Sequence, residues 1–325
     1  MAAPSLTEIL NNVGTSTLSA RLDGLIDQIF ESNVLAAKLL QSDNVKEDGG
    51  KDIRQRIIYA KKRGGSYAGM DTFDMAPIET RTEMVFNWKQ VYMDITIPGI
   101  SLLQNAGGKQ IHDLVSDEMD EADMAAGDLM GTMFFGDGAG NNGKDLTGLR
   151  AAIDDGTSYG TYGGITRAST DVIGSPGYAI QGNINTGGAV FSLSNMNTYF
   201  SQAIVGNEKP NLIITTQALW NKWWERAQPA QRFAAGDSGN RTAGLGFSAI
   251  NFNGADVVVD SHCQAGYVYF LNTKFIKLVV HSKRMFAPTG WKYPINQDAA
   301  VQQLLFAGEL VVKSPRLQVL ATSIT

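Results

Sequence analysis

The sequence predicts an α+β fold, and three observations carry that prediction. Between Lys109 and Phe135, the residues Ile111, Val115, Met119, Ala122, Ala126, Leu129 and Met133 fall on one side of a helical wheel, the pattern of a long half-buried helix. Residues 53–60 (IRQRIIYA), residues 82–97 (TEMVFNWKQVYMDITI) and most of the chain after Ile250 are rich in β-branched and aromatic residues with polar alternation, which is strand chemistry. Helices and strands follow one another without a repeating βα unit, which sets the chain apart from doubly wound folds.

With 325 residues, 43% of them hydrophobic, the chain is long and apolar enough to bury a sizeable core. Its net charge of -5 gives it no overall electrostatic grip on phosphates, so tight nucleic-acid binding is not expected. One cysteine, Cys263, excludes an intrachain disulfide and fits a reducing compartment. The start MAAPSLTEILNN has neither a basic stretch nor an apolar core, and no apolar run is long enough for a membrane span.

Taken in order, residues 16–40 carry Leu18, Leu22, Leu25, Ile26, Ile29, Phe30, Leu35 and Leu39 at helical spacing, read as one or two amphipathic helices. They form either an arm lying on another part of an assembly or a helix packed on its own domain. Residues 53–60 and 82–97 then read as two strands joined by the polar, glycine-rich KKRGGSYAGMDTFDMAP, an extended hairpin with too few apolar neighbours of its own to be stable alone. Its first limb and turn hold Lys51, Arg54, Arg56, Lys61, Lys62 and Arg63 against one acid, Asp52. The long helix has the opposite character. Its polar side carries Asp113, Asp117, Asp120, Glu121 and Asp128, with Lys109 the single basic residue, and like charges at i and i+4 repel. The two stripes complement each other, within one subunit or between subunits.

Gly136 is placed to end the helix as a left-handed cap. Residues 154–190, dominated by Gly, Ser, Thr and Asn, read as a long surface excursion with a short hairpin. Residues 193–204 read as a helix, 210–216 as a buried strand and 217–228 as a second helix. After these come INF and ADVVVD, joined by the hairpin turn Asn253-Gly254, and then four further strand segments.

No motif survives as a catalytic, cofactor or metal site. GAGNNGK (138–144) has phosphate-loop spacing, but Asp145 replaces the hydroxyl that would hold Mg²⁺ and the loop follows a helix, so it reads as a helix-exit loop. Gly236-Asp237-Ser238-Gly239 is followed by Asn240 and lacks the upstream triad partners of a serine protease; Gly64-Gly65-Ser66-Tyr67-Ala68 lacks the second glycine of a nucleophile elbow. His112, His262 and His281 are scattered without metal-ligand spacing. Of Trp220, Trp223 and Trp224, which could stack bases, at least two are expected in the core.

In this order, the N-terminal arm, DGGKDIRQRIIYA with SYAGMDTFD at the hairpin tip, FNWKQ, the long helix, MFFGDGAGNNGKDLTGL, PNLIITTQALW and YFLNTKFIKLVVHS resemble the major capsid proteins of tailed bacteriophages, of Hong Kong 97-type fold. The resemblance implies an N-terminal helical arm (1–45), an extended loop (46–97), a peripheral domain with a spine helix (98–145), an axial domain (146–283) and a return to peripheral strands (284–325). It implies a non-enzymatic structural protein, without cofactors or metal, whose hexamers and pentamers close into an icosahedral shell around packaged double-stranded DNA. The alternative is an encapsulating compartment protein of the same fold. The extended loop of that fold lies on the adjacent subunit's peripheral domain, so Arg54, Arg56, Lys61, Lys62 and Arg63 are expected against Asp113, Asp117 and Glu121 of a neighbour. The implied location is the virion, assembled in the host cytoplasm with a portal, no membrane, and only weak, sequence-independent DNA contact. The type member's long cleaved assembly domain has no counterpart between Met1 and the arm, so a separate scaffolding protein is expected. No motif supports a covalent crosslink at Lys61 or Lys62.

Overall fold

The computed structural model describes residues 33–41, 44–73, 75–104, 108–231 and 250–325. Among the described residues fifteen strands are seen: β1 (Val45–Asp48), β2 (Ile53–Ile58), β3 (Arg81–Phe86), β4 (Lys89–Pro98), β5 (Thr161–Tyr162), β6 (Ile165–Thr166), β7 (Asn183–Asn185), β8 (Leu212–Thr215), β9 (Ile250–Phe252), β10 (Ala255–Val259), β11 (Val268–Leu271), β12 (Ile276–His281), β13 (Ala287–Pro288), β14 (Ala299–Val312) and β15 (Val319–Ala321). The predicted long helix spans Gly108–Phe135. Shorter helices occupy Val34–Gln41, Leu193–Gln202 and Gln217–Gln231.

Two sheets organise the chain. The first has the order β1-β12-β14-β13, with β4 antiparallel to β14 over ten residue pairs from Ala299↔Pro98 to Gly308↔Lys89. The second has the order β7-β15-β11-β8-β10-β9. After β11 the chain crosses to the first sheet for β12 to β14 and returns to the second for β15.

The 82–97 segment, expected as one strand, is two, interrupted at Asn87 and Trp88. Its first half pairs with β2 and its second with β14, and one strand cannot serve two separate sheets without a break. On β4 the inward Val91, Met93, Ile95 and Ile97 are buried and the alternate residues exposed, as expected of a sheet with one covered face. The long helix packs on this strand.

The second sheet is buried on both faces. Along β8, Leu212 and Ile214 join one apolar core while Ile213 joins another; on β11, Tyr269 and Leu271 likewise oppose Val268 and Phe270. This is why LIIT reads as a continuous apolar run. The second core lies under the helices Leu193–Gln202 and Gln217–Gln231 and includes Met196, Phe200, Leu219 and Trp223. Trp223 is fully buried, Trp220 is packed against that core, and Trp224, 40% exposed, stacks on Trp220, as the sequence led us to expect.

Of the N-terminal helical pattern, Val34–Gln41 is buried on its own chain: Val34, Leu35 and Leu39 enter the first core against β12, and Lys38 pairs with Asp256 at 3.4 Å. Residues 1–32 and the 236–240 loop lie outside the described residues. Gly136 is not left-handed. The positive φ falls two residues later, at Gly138 (φ 78), because the Gly136 N–H first turns back to the Met133 carbonyl. Residues 138–144 are a helix-exit loop, with Asn141 and Asn142 both left-handed, a conformation asparagine tolerates. Asn253 (φ 52) and Gly254 (φ 87) form the predicted turn between β9 and β10.

Candidate inter-subunit contact site

The hairpin is made by β2 and β3, registered Ile53↔Phe86 to Ile58↔Arg81. Strand alternation sends Ile53, Ile57, Met84 and Phe86 inward and leaves Arg54, Arg56 and Ile58 exposed. The support the sequence demanded comes from the small β5–β6 hairpin of the same chain. Phe86 meets Tyr162 edge-on at 5.1 Å, and the Val85 N–H donates to the Gly163 carbonyl at 2.8 Å. Gly163 is left-handed (φ 57), and a methyl there would come within 2.6 Å of Met84 Cβ. Tyr162 in turn accepts the Val312 N–H through its hydroxyl, tying the hairpin base to β14.

Beyond the base, the described residues of the 59–80 loop carry no helix or strand. Its Tyr67, Met70, Phe73 and Met75 are exposed, and Tyr67 and Phe73 pack edge-on at 5.1 Å around a turn in which Asp71 Oδ2 accepts the Ala68 N–H.

Arg54 and Arg56 already have partners inside the hairpin. Arg56 Nε lies 3.1 Å from Glu83 Oε1, its direct cross-strand neighbour, and Arg54 lies 3.7 Å from Glu83 and 3.9 Å from Asp52. Sequence reasoning counted acids only along the first limb and missed Glu83, which the hairpin register brings across. Such exposed pairs contribute about 0–1 kcal/mol each, so both arginines remain able to exchange partners. Lys61, Lys62 and Arg63 are exposed in the loop, and among the described residues neither lysine has an ion-pair partner.

On the long helix, Asp117, Asp120, Glu121 and Asp128 are exposed, as their side of the wheel predicted. The side chain of Asp113 lies outside the described residues. Met124 is 69% exposed and sits in the stripe 117, 121, 124, 128, so the acidic face has an apolar centre. Glu118 is half-buried, and its carboxyl is pushed above the ordinary range by burial and then by the charges of Glu121 and Asp117. The crowding of acids on this helix is therefore felt within the fold itself. The inward side is Met119, Ala122, Ala126, Met130 and Phe134, with Leu129 and Met133 half-buried. Asp123, buried at the helix margin, was not anticipated.

Other buried ionic groups also escaped sequence reasoning. Arg167 is 1% exposed and donates to the carbonyls of Tyr159 (2.9 Å), Ala152 (3.0 Å), Ile180 (3.1 Å) and Ala151. Asp154 beside it accepts the N–H groups of Gly156, Ser158 and Tyr159. Together they organise the polar 154–190 excursion, which has few apolar residues of its own. Glu309 on β14 is 1% exposed and accepts the N–H groups of Thr147 (2.7 Å) and Leu310 (3.1 Å). Burial raises its carboxyl to about 7 against the lowering effect of those hydrogen bonds and of Lys89. Its only sequence signal is an acid inside an otherwise apolar strand, LLFAGELVV.

No protein-family model matches the chain, and no curated protein matches it in sequence. Solved structures match along most of its length. The cyanophage A-1(L) capsid chain superposes with a TM-score of 0.64 at 15% identity, over 87% of this chain and 90% of that one. A chain from the capsid of a native GTA particle gives 0.62 at 8% identity, covering 89% and 90%. The holo-SrpI encapsulin complex from Synechococcus elongatus PCC 7942 gives 0.52 at 8% identity, covering 88% and 87%. The chain has the fold of these capsid and encapsulin proteins, the Hong Kong 97-type fold, and its mixed helices and sheets are of the α+β class.

Proposed function

We propose that this chain is the major capsid protein of a tailed phage, a structural subunit that assembles with copies of itself into an icosahedral shell around double-stranded DNA. The observation that supports the reading best is the near end-to-end match to capsid chains, with about nine-tenths of both partners covered. No enzymatic step is assigned. The encapsulin match favours one alternative, a shell-forming compartment protein of the same fold. The two differ in content: the capsid reading calls for packaged DNA, the compartment reading for protein cargo.

In this reading the first sheet and the long helix form the peripheral domain and the second sheet with its helices the axial domain around capsomer centres, which moves β12 (276–281) out of the axial range expected from the sequence and β15 (319–321) into it, and within 46–97 it is β2, β3 and the loop between them that reach a neighbour. Hexamers and pentamers are the building units, with a portal and a separate scaffolding protein as further partners and the virion as the final location, after assembly in host cytoplasm. The net charge of -5 suits a wall that touches DNA weakly, since a basic lining would hold phosphates in a salt-dependent way. Among the described residues no helix is long and apolar enough to cross a membrane.

The contact we propose joins Arg54, Arg56, Lys61, Lys62 and Arg63 of one subunit to Asp113, Asp117 and Glu121 of the next. The tip residues Met70 and Phe73 supply apolar area that a face centred on Met124 can cover. Each ion pair adds little, so around a closed shell their role is register more than strength. Negative-stain microscopy of the purified protein tests the function: shells or capsomers are expected, and a small monomer under every salt condition refutes it. Reversal of Asp113, Asp117 and Glu121 to lysine tests the contact. Folded subunits that no longer assemble are expected, and normal shells refute it.

A further inference from the structure

The turn after β10 carries a histidine whose two ring nitrogens both meet carboxylates, one from each of two elements. His262 Nε2 lies 3.1 Å from Asp128 Oδ1 on the long helix, and Nδ1 lies 3.1 Å from Asp260 Oδ1 on its own turn. The Ser261 hydroxyl is farther from Nδ1, at 3.5 Å. The ring is 12% exposed and lies over Gly131, where a methyl group would come within 2.5 Å of it, so the glycine leaves the slot that brings imidazole against the helix.

The protonation state decides what this geometry can do. A neutral imidazole has one N–H and can donate to one of the two carboxylates while turning a lone pair toward the other; the imidazolium donates to both. Asp260 strengthens the argument. Its side chain is 2% exposed, its Oδ2 has no hydrogen-bond partner among the described residues, and His262 is its only ion-pair partner among them. Asp260 Oδ1 also accepts the His262 backbone N–H at 2.9 Å, and a buried carboxylate needs its donors more than an exposed one does, so the last ring N–H belongs to Asp260 and the contact to the exposed Asp128 is the one given up. The other ionisable group beside Asp260 is the Cys263 thiol, held neutral by burial and then by the Asp260 charge.

We propose that His262 is a proton-operated latch that fastens the long helix to the six-stranded sheet. With both nitrogens protonated it ties Asp128 to Asp260, and loss of one proton releases the helix side. The second tether between the same turn and the helix, Gln264 Nε2 to the Phe135 carbonyl at 2.8 Å, does not titrate and keeps the helix end in place. Release therefore loosens the stretch around Gly127 and Gly131, where two glycines already lower intrinsic helix stability. The latch is a property of the single chain and stands whether or not the chain builds a shell.

Hydrogen exchange of the full chain, corrected for intrinsic rates and read by mass spectrometry from about pH 5 to about pH 8, tests it together with NMR of ¹⁵N-histidine-labelled protein. The expected result is that the His262 ring goes from two N–H groups to one and that protection of residues 124–135 falls several-fold over the same range. Asp128→Ala removes an 82% exposed side chain and with it every group that could bond Nε2; protection of the helix should then show no response to pH. Wild-type protection that does not respond to pH, the same response in Asp128→Ala, or a ring that keeps one protonation state throughout overturns the proposal.

Discussion

Glu309 offers the sharpest test of how this fold handles a buried charge. The carboxyl sits opposite Val279 in the middle of the first sheet, and burial lifts it from an ordinary 4.5 to about 7. Between those values the folded chain binds a proton that the unfolded chain has released. The associated stability is fully present below about pH 4.5 and is lost as the pH rises through about 7. At about 1.4 kcal/mol per pH unit, the loss amounts to about 3 kcal/mol. Glu309→Gln keeps the size of the side chain and an oxygen for the Thr147 and Leu310 N–H groups, while the Thr147 hydroxyl, 3.4 Å from Oε2, can turn to accept from the new amide. Urea unfolding at pH 5, 6, 7 and 8 should show wild-type stability falling with pH through this contribution. The variant should fall less steeply and gain up to about 3 kcal/mol on wild type at pH 8. An identical pH slope in both proteins would refute the reasoning.

Three further outcomes are expected. Arg167→Met leaves the carbonyls of Tyr159, Ala151, Ala152 and Ile180 without their donor and Asp154 without its neighbouring cation, so urea unfolding should show a loss of about 3–5 kcal/mol. Gly308→Ala places a methyl 2.7 Å from the Val279 carbonyl and 2.8 Å from the Phe306 ring, and because the first of these is backbone the sheet must shift; a loss of about 1–3 kcal/mol is expected in the same measurement. Removing the hairpin's apolar tip with Met70→Ser and Phe73→Ser, both exposed, should leave the unfolding free energy within about 0.5 kcal/mol of wild type. The same double variant should slow shell assembly followed by light scattering.

Much of the local structure was legible because it depends on short-range pattern. The long helix was read to within a residue of its start, and its exposed Asp117, Glu121 and Asp128 follow from helical period. The Asn253-Gly254 turn and the buried LIIT strand follow equally from local chemistry. The contact stripe was legible only in part. Counting charges along one limb found Arg54 and Arg56, but the register that sets Glu83 opposite Arg56 is a long-range fact.

The sequence by itself determined the long helix, the helices at Leu193–Gln202 and Gln217–Gln231, most of the strands after residue 250, and the order that resembles a capsid protein. Tertiary structure alone decided where the 82–97 segment divides, since only the competing demands of β2 and β14 break it at Asn87 and Trp88. It alone buried Arg167 and Glu309, and it alone brought His262 between Asp128 and Asp260 across a separation of 134 residues from the helix. Periodicity reports how each segment meets solvent. Which distant segment then covers it, and what its charges meet there, depends on packing the whole chain.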